Sequence, residues 1–162
     1  MQVIQTSRKT QGRFDSAEQE AFLNLWRTYD RLKTLEEELF GRYGLTAQQY
    51  NALRLLRAAS PEKVATLALA GRLVSLAPDI TRLLDRLYAR GLIERERRDD
   101  DRRSVYVGIT EDGLSLLDDL YDEVCRCHRM QLGHLTSEEL KALTDLLREA
   151  RAPHEHEGSI WG

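Results

Sequence analysis

Only two cysteines occur in the 162 residues, and they fall close together as Cys125 and Cys127. On a helix that spacing turns the side chains roughly 200° apart, too divergent for an easy mutual disulfide, which argues against a disulfide scaffold. No apolar run is long enough to cross a bilayer. The opening stretch MQVIQTSRKTQGRF lacks both an apolar core of signal-peptide length and a small-residue cleavage site. These absences predict a soluble, cytoplasmic chain with no membrane association. The ten glycines form no GxGxxG, GxxxxGKS or GxxxxGKT pattern, and no nucleophile–base pair is recognisable, so the sequence argues against an enzyme and names no cofactor and no catalytic residue. Cys125 with His128, and Cys127 with His134, share helix faces, but neither pair has a zinc spacing, and no metal site is assigned.

What is present is an ordinary globular balance, 41% hydrophobic and 31% charged, in a chain short for two domains of roughly 100 residues each. The net charge of −3 speaks against nucleic acid only until its distribution is read. From Arg54 to Arg103 there are 12 Lys+Arg against 8 Asp+Glu, a net of +4, while the rest carries 12 against 19, a net of −7. One basic segment in an acidic chain can present a single face to phosphates.

Along the chain, Asp15-Ser16-Ala17-Glu18 reads as a capping box opening a long amphipathic helix, Asp15 to Tyr43, that ends at Gly44. Thr46-Ala47-Gln48-Gln49 opens a second helix through Arg57, with Tyr50, Leu53 and Leu56 inward. Pro61 suits the first turn of a short third helix made by Val64, Leu67, Ala68 and Leu69 and stopping near Gly71, and Pro78 that of a fourth, with Ile80, Leu83, Leu84 and Leu87 inward and Gly91 closing it. Two extended runs, Leu92 to Arg97 and Val105 to Ile109, flank the polar tip RDDDRRS as a hairpin. A long helix follows with Leu114, Leu117, Tyr121, Val124 and His128 on one stripe, and Thr136 caps a last helix. The fold class is therefore α+β, mostly α: a winged helix-turn-helix over 46–110, between an N-terminal arm and long helix over 1–45 and C-terminal helices over 111–150, with a mobile tail over 151–162. Apolar residues on the terminal helices exceed what a small winged domain covers alone, which predicts dimerisation through 1–45 and 111–150.

From Leu73 to Gly113 the residues themselves, LVSLAPDITRLLDRLYARGLIERERRDDDRRSVYVGITEDG, resemble the MarR (multiple antibiotic resistance regulator) family. The matching pieces are Thr81 to Leu87, Arg90 to Arg95, Asp101-Arg102-Arg103, and Ile109-Thr110 with Gly113; the element order is similar over Asp15 to Glu149. The resemblance implies a homodimeric repressor of double-stranded DNA. A helix fits the major groove, where base edges are distinguishable, while phosphate contacts set register. On that logic Pro78, Asp79, Thr81 and Arg82 are candidates for base edges or adjoining phosphates, and Arg86 for the backbone. Ser75 and the start of the third helix around Lys63 would offer hydroxyl and amide donors to phosphates, and Arg102 and Arg103 would enter a minor groove. The family reading makes Asp101 the carboxylate that orients Arg103 in the wing. Two half-sites one helical turn apart would form a pseudo-palindromic operator.

The resemblance also implies release by a small aromatic ligand, a drug-like molecule or an oxidant. Trp26, Tyr29, Tyr43, Tyr50 and His128 are the candidate pocket residues, each of which also fits a plain core role. Two other functions stay open: redox sensing through Cys125 or Cys127 near Arg126 and Arg129, and a winged-helix adaptor that binds protein rather than DNA. Concerted action of Arg82, Arg86, Arg102 and Arg103 on DNA separates the last from the first reading.

Overall fold

Helix boundaries in the computed structural model, which describes residues 13–75, 79–97 and 103–155, are set by side chains that satisfy the orphan amides and carbonyls of helix ends. The order is α1 (Ala17–Arg42), α2 (Ala47–Ala59), β1 (Val64–Ala65), α3 (Thr66–Arg72), α4 (Ile80–Ala89), β2 (Ile93–Arg97), β3 (Val105–Ile109), α5 (Glu111–Leu132) and α6 (Ser137–Arg151), followed by a 3-10 turn at Ala152–His154. This is the expected α+β arrangement, mostly α.

The chain divides into two compact units, Met1–Leu35 and Glu36–Gly162. In the first, the cap of α1 falls one residue later than the sequence pattern placed it, at Ser16 rather than Asp15, and the helix starts at Ala17. The Ser16 hydroxyl accepts the Gln19 amide at 3.1 Å, and the Gln19 side chain closes back on Asp15. Phe22, Trp26 and Tyr29 lie exposed along this helix, with the Phe22 and Trp26 rings 6.2 Å apart.

In the second unit, α2 opens with the reciprocal box read from sequence: the Gln49 amide donates to the Thr46 hydroxyl at 3.1 Å and the Thr46 amide to the Gln49 side chain at 2.9 Å. Helices α1 and α4 end alike. Gly44 and Gly91 take φ of 65° and 70°, which lets the Leu45 amide reach the Phe40 carbonyl and the Leu92 amide the Leu87 carbonyl, tucking Leu45 and Leu92 into the core. The core is mostly aliphatic: beside Phe40 of α1, Leu53 and Leu56 of α2, Leu69 of α3, Leu83, Leu84 and Leu87 of α4, Ile93, Val107, and Leu117 and Leu120 of α5 are buried. Burying each leucine contributes about 2 kcal/mol. The three on α4 fix its inner face and leave the opposite face free.

The strands form one antiparallel sheet in the order β1-β3-β2, with Val64 opposite Val107 and a full β2–β3 register from Ile93–Ile109 to Arg97–Val105. Several sequence expectations need correction. Pro61 lies in the turn after α2 rather than in a helix, Val64 belongs to β1, and α3 starts at Thr66. Leu67 lies in α3 as expected and is 83% exposed. Along α5 the buried line is Gly113, Leu117, Leu120, Val124, Cys127 and Gln131, so Tyr121 and His128 of the expected stripe stand outside it.

Candidate nucleic-acid interface

Helix α4 carries the candidate reading face. Asp79 is its N-cap, the carboxylate accepting the Arg82 amide at 2.8 Å, so the helix begins at Ile80 and Asp79 is tied to its first turn. Thr81, Arg82, Asp85 and Arg86 are exposed, opposite the three buried leucines. Pro78, Asp101 and Arg102 lie outside the described residues. Arg103 is exposed at the start of the return toward β3.

The turn before α4 is tied to α2: Asn51 accepts the Val74 amide at 3.1 Å, and the Gln48 amide group donates to the Ser75 hydroxyl at 3.1 Å. Ser75 is thereby held at the surface against α2. Lys63 stands elsewhere than expected, ahead of β1 rather than at a helix start. Its ammonium is 2.5 Å from Glu96 and 3.1 Å from Glu94. Its stem crosses β3 where Gly108 has no side chain; a Cβ there would come within 3.0 Å of the Lys63 chain. The hydrogen bonds it donates to Glu96 and then Glu94 push the ammonium pKa up. In this arrangement Lys63 straps the sheet together.

Two arginines that sequence reasoning passed over organise the site. Arg90, at the end of α4, donates to the Tyr43 carbonyl at 3.0 Å and the Gly44 carbonyl at 2.7 Å, satisfying carbonyls at the end of α1. Arg95 of β2 pairs with Asp85 at 2.7 Å and lies 5.1 Å from the Tyr88 ring centre. Both belong to the stretch Arg90 to Arg95; the signal was present, but its partners depend on tertiary contacts.

The effector candidates are not all alike. Trp26 and Tyr29 belong to the first unit. In the second, the Tyr43 hydroxyl donates to Glu123 at 2.6 Å, and Arg42 pairs with the same carboxylate. That contact holds the Glu123 carboxyl below its usual range and raises the Tyr43 phenol. Tyr50 stacks on Phe40 with ring centres 4.4 Å apart, and desolvation raises its pKa. His128 Nδ1 lies 2.9 Å from the Gln131 side chain and 4.0 Å from Glu36. Cys125 is partly exposed and Cys127 buried, both as free thiols, and burial pushes the Cys127 thiol up. Among the described residues no helix is long and apolar enough to cross a membrane, and no three His, Cys, Asp or Glu side chains are grouped to hold a metal ion.

Comparison with known proteins bears on the same segment. The sequence profile of the MarR family matches residues 45–105, from the end of α1 to the start of β3. The homoprotocatechuate degradative operon repressor of Escherichia coli is 32% identical over 108 residues, covering 67% of this chain and 72% of that protein. A MarR transcription factor from Planctomyces limnophilus is similar at 57% identity with a TM-score of 0.67, covering 83% of this chain and 98% of that one. BpsR of Bordetella bronchiseptica, whose DNA binding is regulated by 6-hydroxynicotinic acid, is 26% identical with a TM-score of 0.74 over 86% of this chain and 97% of its own. With a helix-turn-helix and β-hairpin in the matched segment and a repressor among its relatives, the chain belongs to the MarR family of winged helix-turn-helix, DNA-binding transcriptional regulators, which are not enzymes.

Proposed function

We propose that the protein is a homodimeric repressor that binds a pseudo-palindromic operator with α4 in the major groove and the β2–β3 wing in the minor groove. The observation that carries this is the division of α4 into a buried leucine face and an exposed face bearing Thr81, Arg82 and Arg86. A helix anchored on one side and offering hydroxyl and guanidinium donors on the other fits the groove that a helix can enter. Ser75 beside it and Arg103 at the wing take the phosphate and minor-groove roles, with Pro78, Asp79, Asp101 and Arg102 completing the set. Lys63, engaged by two carboxylates, contributes least.

Dimerisation is supported by apolar side chains left at the surface: Phe22, Trp26 and Tyr29 on α1, and Tyr121, Met130 and Leu146 on α5 and α6. A second copy would cover them and set two α4 helices about one turn of DNA apart. Release by a small aromatic acid is supported by the regulation of the Bordetella relative. Such a ligand acts only by binding the spread dimer better than the DNA-competent one. Redox sensing gains nothing from a buried Cys127 with a raised thiol pKa, since the reactive species is the thiolate.

The test is fluorescence anisotropy of the purified protein with DNA from upstream of its own gene, across several salt concentrations, beside Arg82→Ala and Arg103→Ala. Preference over random DNA that weakens with salt and is lost in both variants is the expected result. A folded dimer that binds neither DNA sinks this reading and leaves the adaptor.

A further inference from the structure

We propose that Arg95 is a positioning residue that masks Asp85, keeping the acidic group of the reading helix away from DNA phosphates. The proposal rests on α4 being the DNA-reading element. Asp85 is the only acid within α4, and it follows Arg82 by three residues and Thr81 by four, so it shares their exposed face. An unpaired carboxylate there would oppose the charge of Arg82 and Arg86.

Arg95 removes that opposition by geometry. In β2 it follows buried Ile93 by two positions and so projects from the same side of the strand, while Glu94 and Glu96 turn to Lys63. Its guanidinium meets the Asp85 carboxylate at 2.7 Å and lies over Tyr88, three residues further along α4. The Arg95 side chain is 28% exposed against 55% for Asp85, so Arg95 is the better packed partner and Asp85 is drawn toward the wing. A planar guanidinium can bond and stack at once, which a lysine ammonium cannot do in the same way.

The magnitude follows from charge alone. A bare carboxylate roughly 6 Å from a phosphate in water costs about threefold in affinity, and about tenfold for a dimer with two such helices.

The experiment enriches a duplex from a random-sequence pool with the wild-type protein. Its affinity and salt slope are then compared for Arg95→Ala, Asp85→Asn and the double variant, with melting temperatures in parallel. Arg95→Ala is expected to bind about tenfold more weakly. Asp85→Asn should bind as tightly as wild type or tighter, and the double variant should recover to within about twofold of Asp85→Asn. A double variant as weak as Arg95→Ala, especially with a shallower salt slope, would show that Arg95 meets phosphate itself and would overturn the proposal. So would weakened binding by Asp85→Asn, or no loss in Arg95→Ala. If Arg95→Ala does not fold, Arg95→Gln with and without Asp85→Asn makes the same comparison. Failure of the wild type to enrich any duplex removes the DNA reading as well, an outcome distinct from enrichment without rescue.

Discussion

Replacing Gly113 with alanine sets two opposed effects against each other at the joint between the winged segment and α5. Gly113 is buried in the first turn of α5, its amide donating to the Thr110 cap at 3.2 Å. A helix gains about 1 kcal/mol when glycine becomes alanine, if nothing is in the way. Here an added Cβ would collide with the Leu92 carbonyl oxygen and stand 2.7 Å from Ile109. The Leu92 oxygen cannot yield freely, because it accepts the Thr110 amide at 3.2 Å, and the Thr110 hydroxyl holds Gly91 at 2.7 Å. Overpacking against backbone costs about 3 kcal/mol, so Gly113→Ala should destabilise by about 2 kcal/mol net. For a chain of this length that lowers the melting temperature by roughly 4–8 °C, read by circular dichroism at matched protein concentration, on which the stability of the proposed dimer would depend. Gly41→Ala in α1 is the contrast: nothing lies within 4 Å of its added Cβ, and it should melt at or slightly above wild type. A Gly113→Ala protein that melts no lower than wild type refutes the reasoning.

Asp79→Ala should cost about 1 kcal/mol through loss of the α4 cap, with Asp79→Asn recovering most of it in the same melts. The Tyr43 hydrogen bond, aided by Arg42, holds the Glu123 carboxyl below 4.5, so its stabilisation is complete above that pH and fades as acid protonates the folded state. Glu123→Gln should therefore unfold at lower urea than wild type at neutral pH, with the gap narrowing as the pH falls below the ordinary carboxylate range; a constant gap contradicts the assignment. Alkylation followed by mass spectrometry should label Cys125 before Cys127, whose burial raises its pKa. The reverse order would revive Cys127 as a sensor.

Much of this architecture was legible because it is local. The Thr46 and Thr136 boxes, the glycine ends of α1 and α4 and the inward Leu83, Leu84 and Leu87 depend on residues within five positions of one another. The hairpin strands were bounded by their polar tip. What escaped was short or distant. A two-residue strand such as Val64–Ala65 has no alternation to read, so Pro61 and Val64 were drawn into a helix that starts only at Thr66. The buried line of α5 runs through Leu120 and Cys127 rather than Tyr121 and His128, because both lines are apolar enough and only the packed partners decide between them. Thr81, Arg82 and Arg86 were found as exposed groups on a periodic helix. Arg90, Arg95 and the carboxylates around Lys63 were not, since their roles depend on partners up to 47 residues away.

Hydroxyl-radical footprinting of the wild-type complex tests the proposal that α4 reads DNA as one half of a two-fold pair. Two protected patches related by symmetry are expected, centred about 10 bp apart or a multiple of that, both lost in Arg82→Ala. A single patch, or a footprint unchanged in Arg82→Ala, would contradict it.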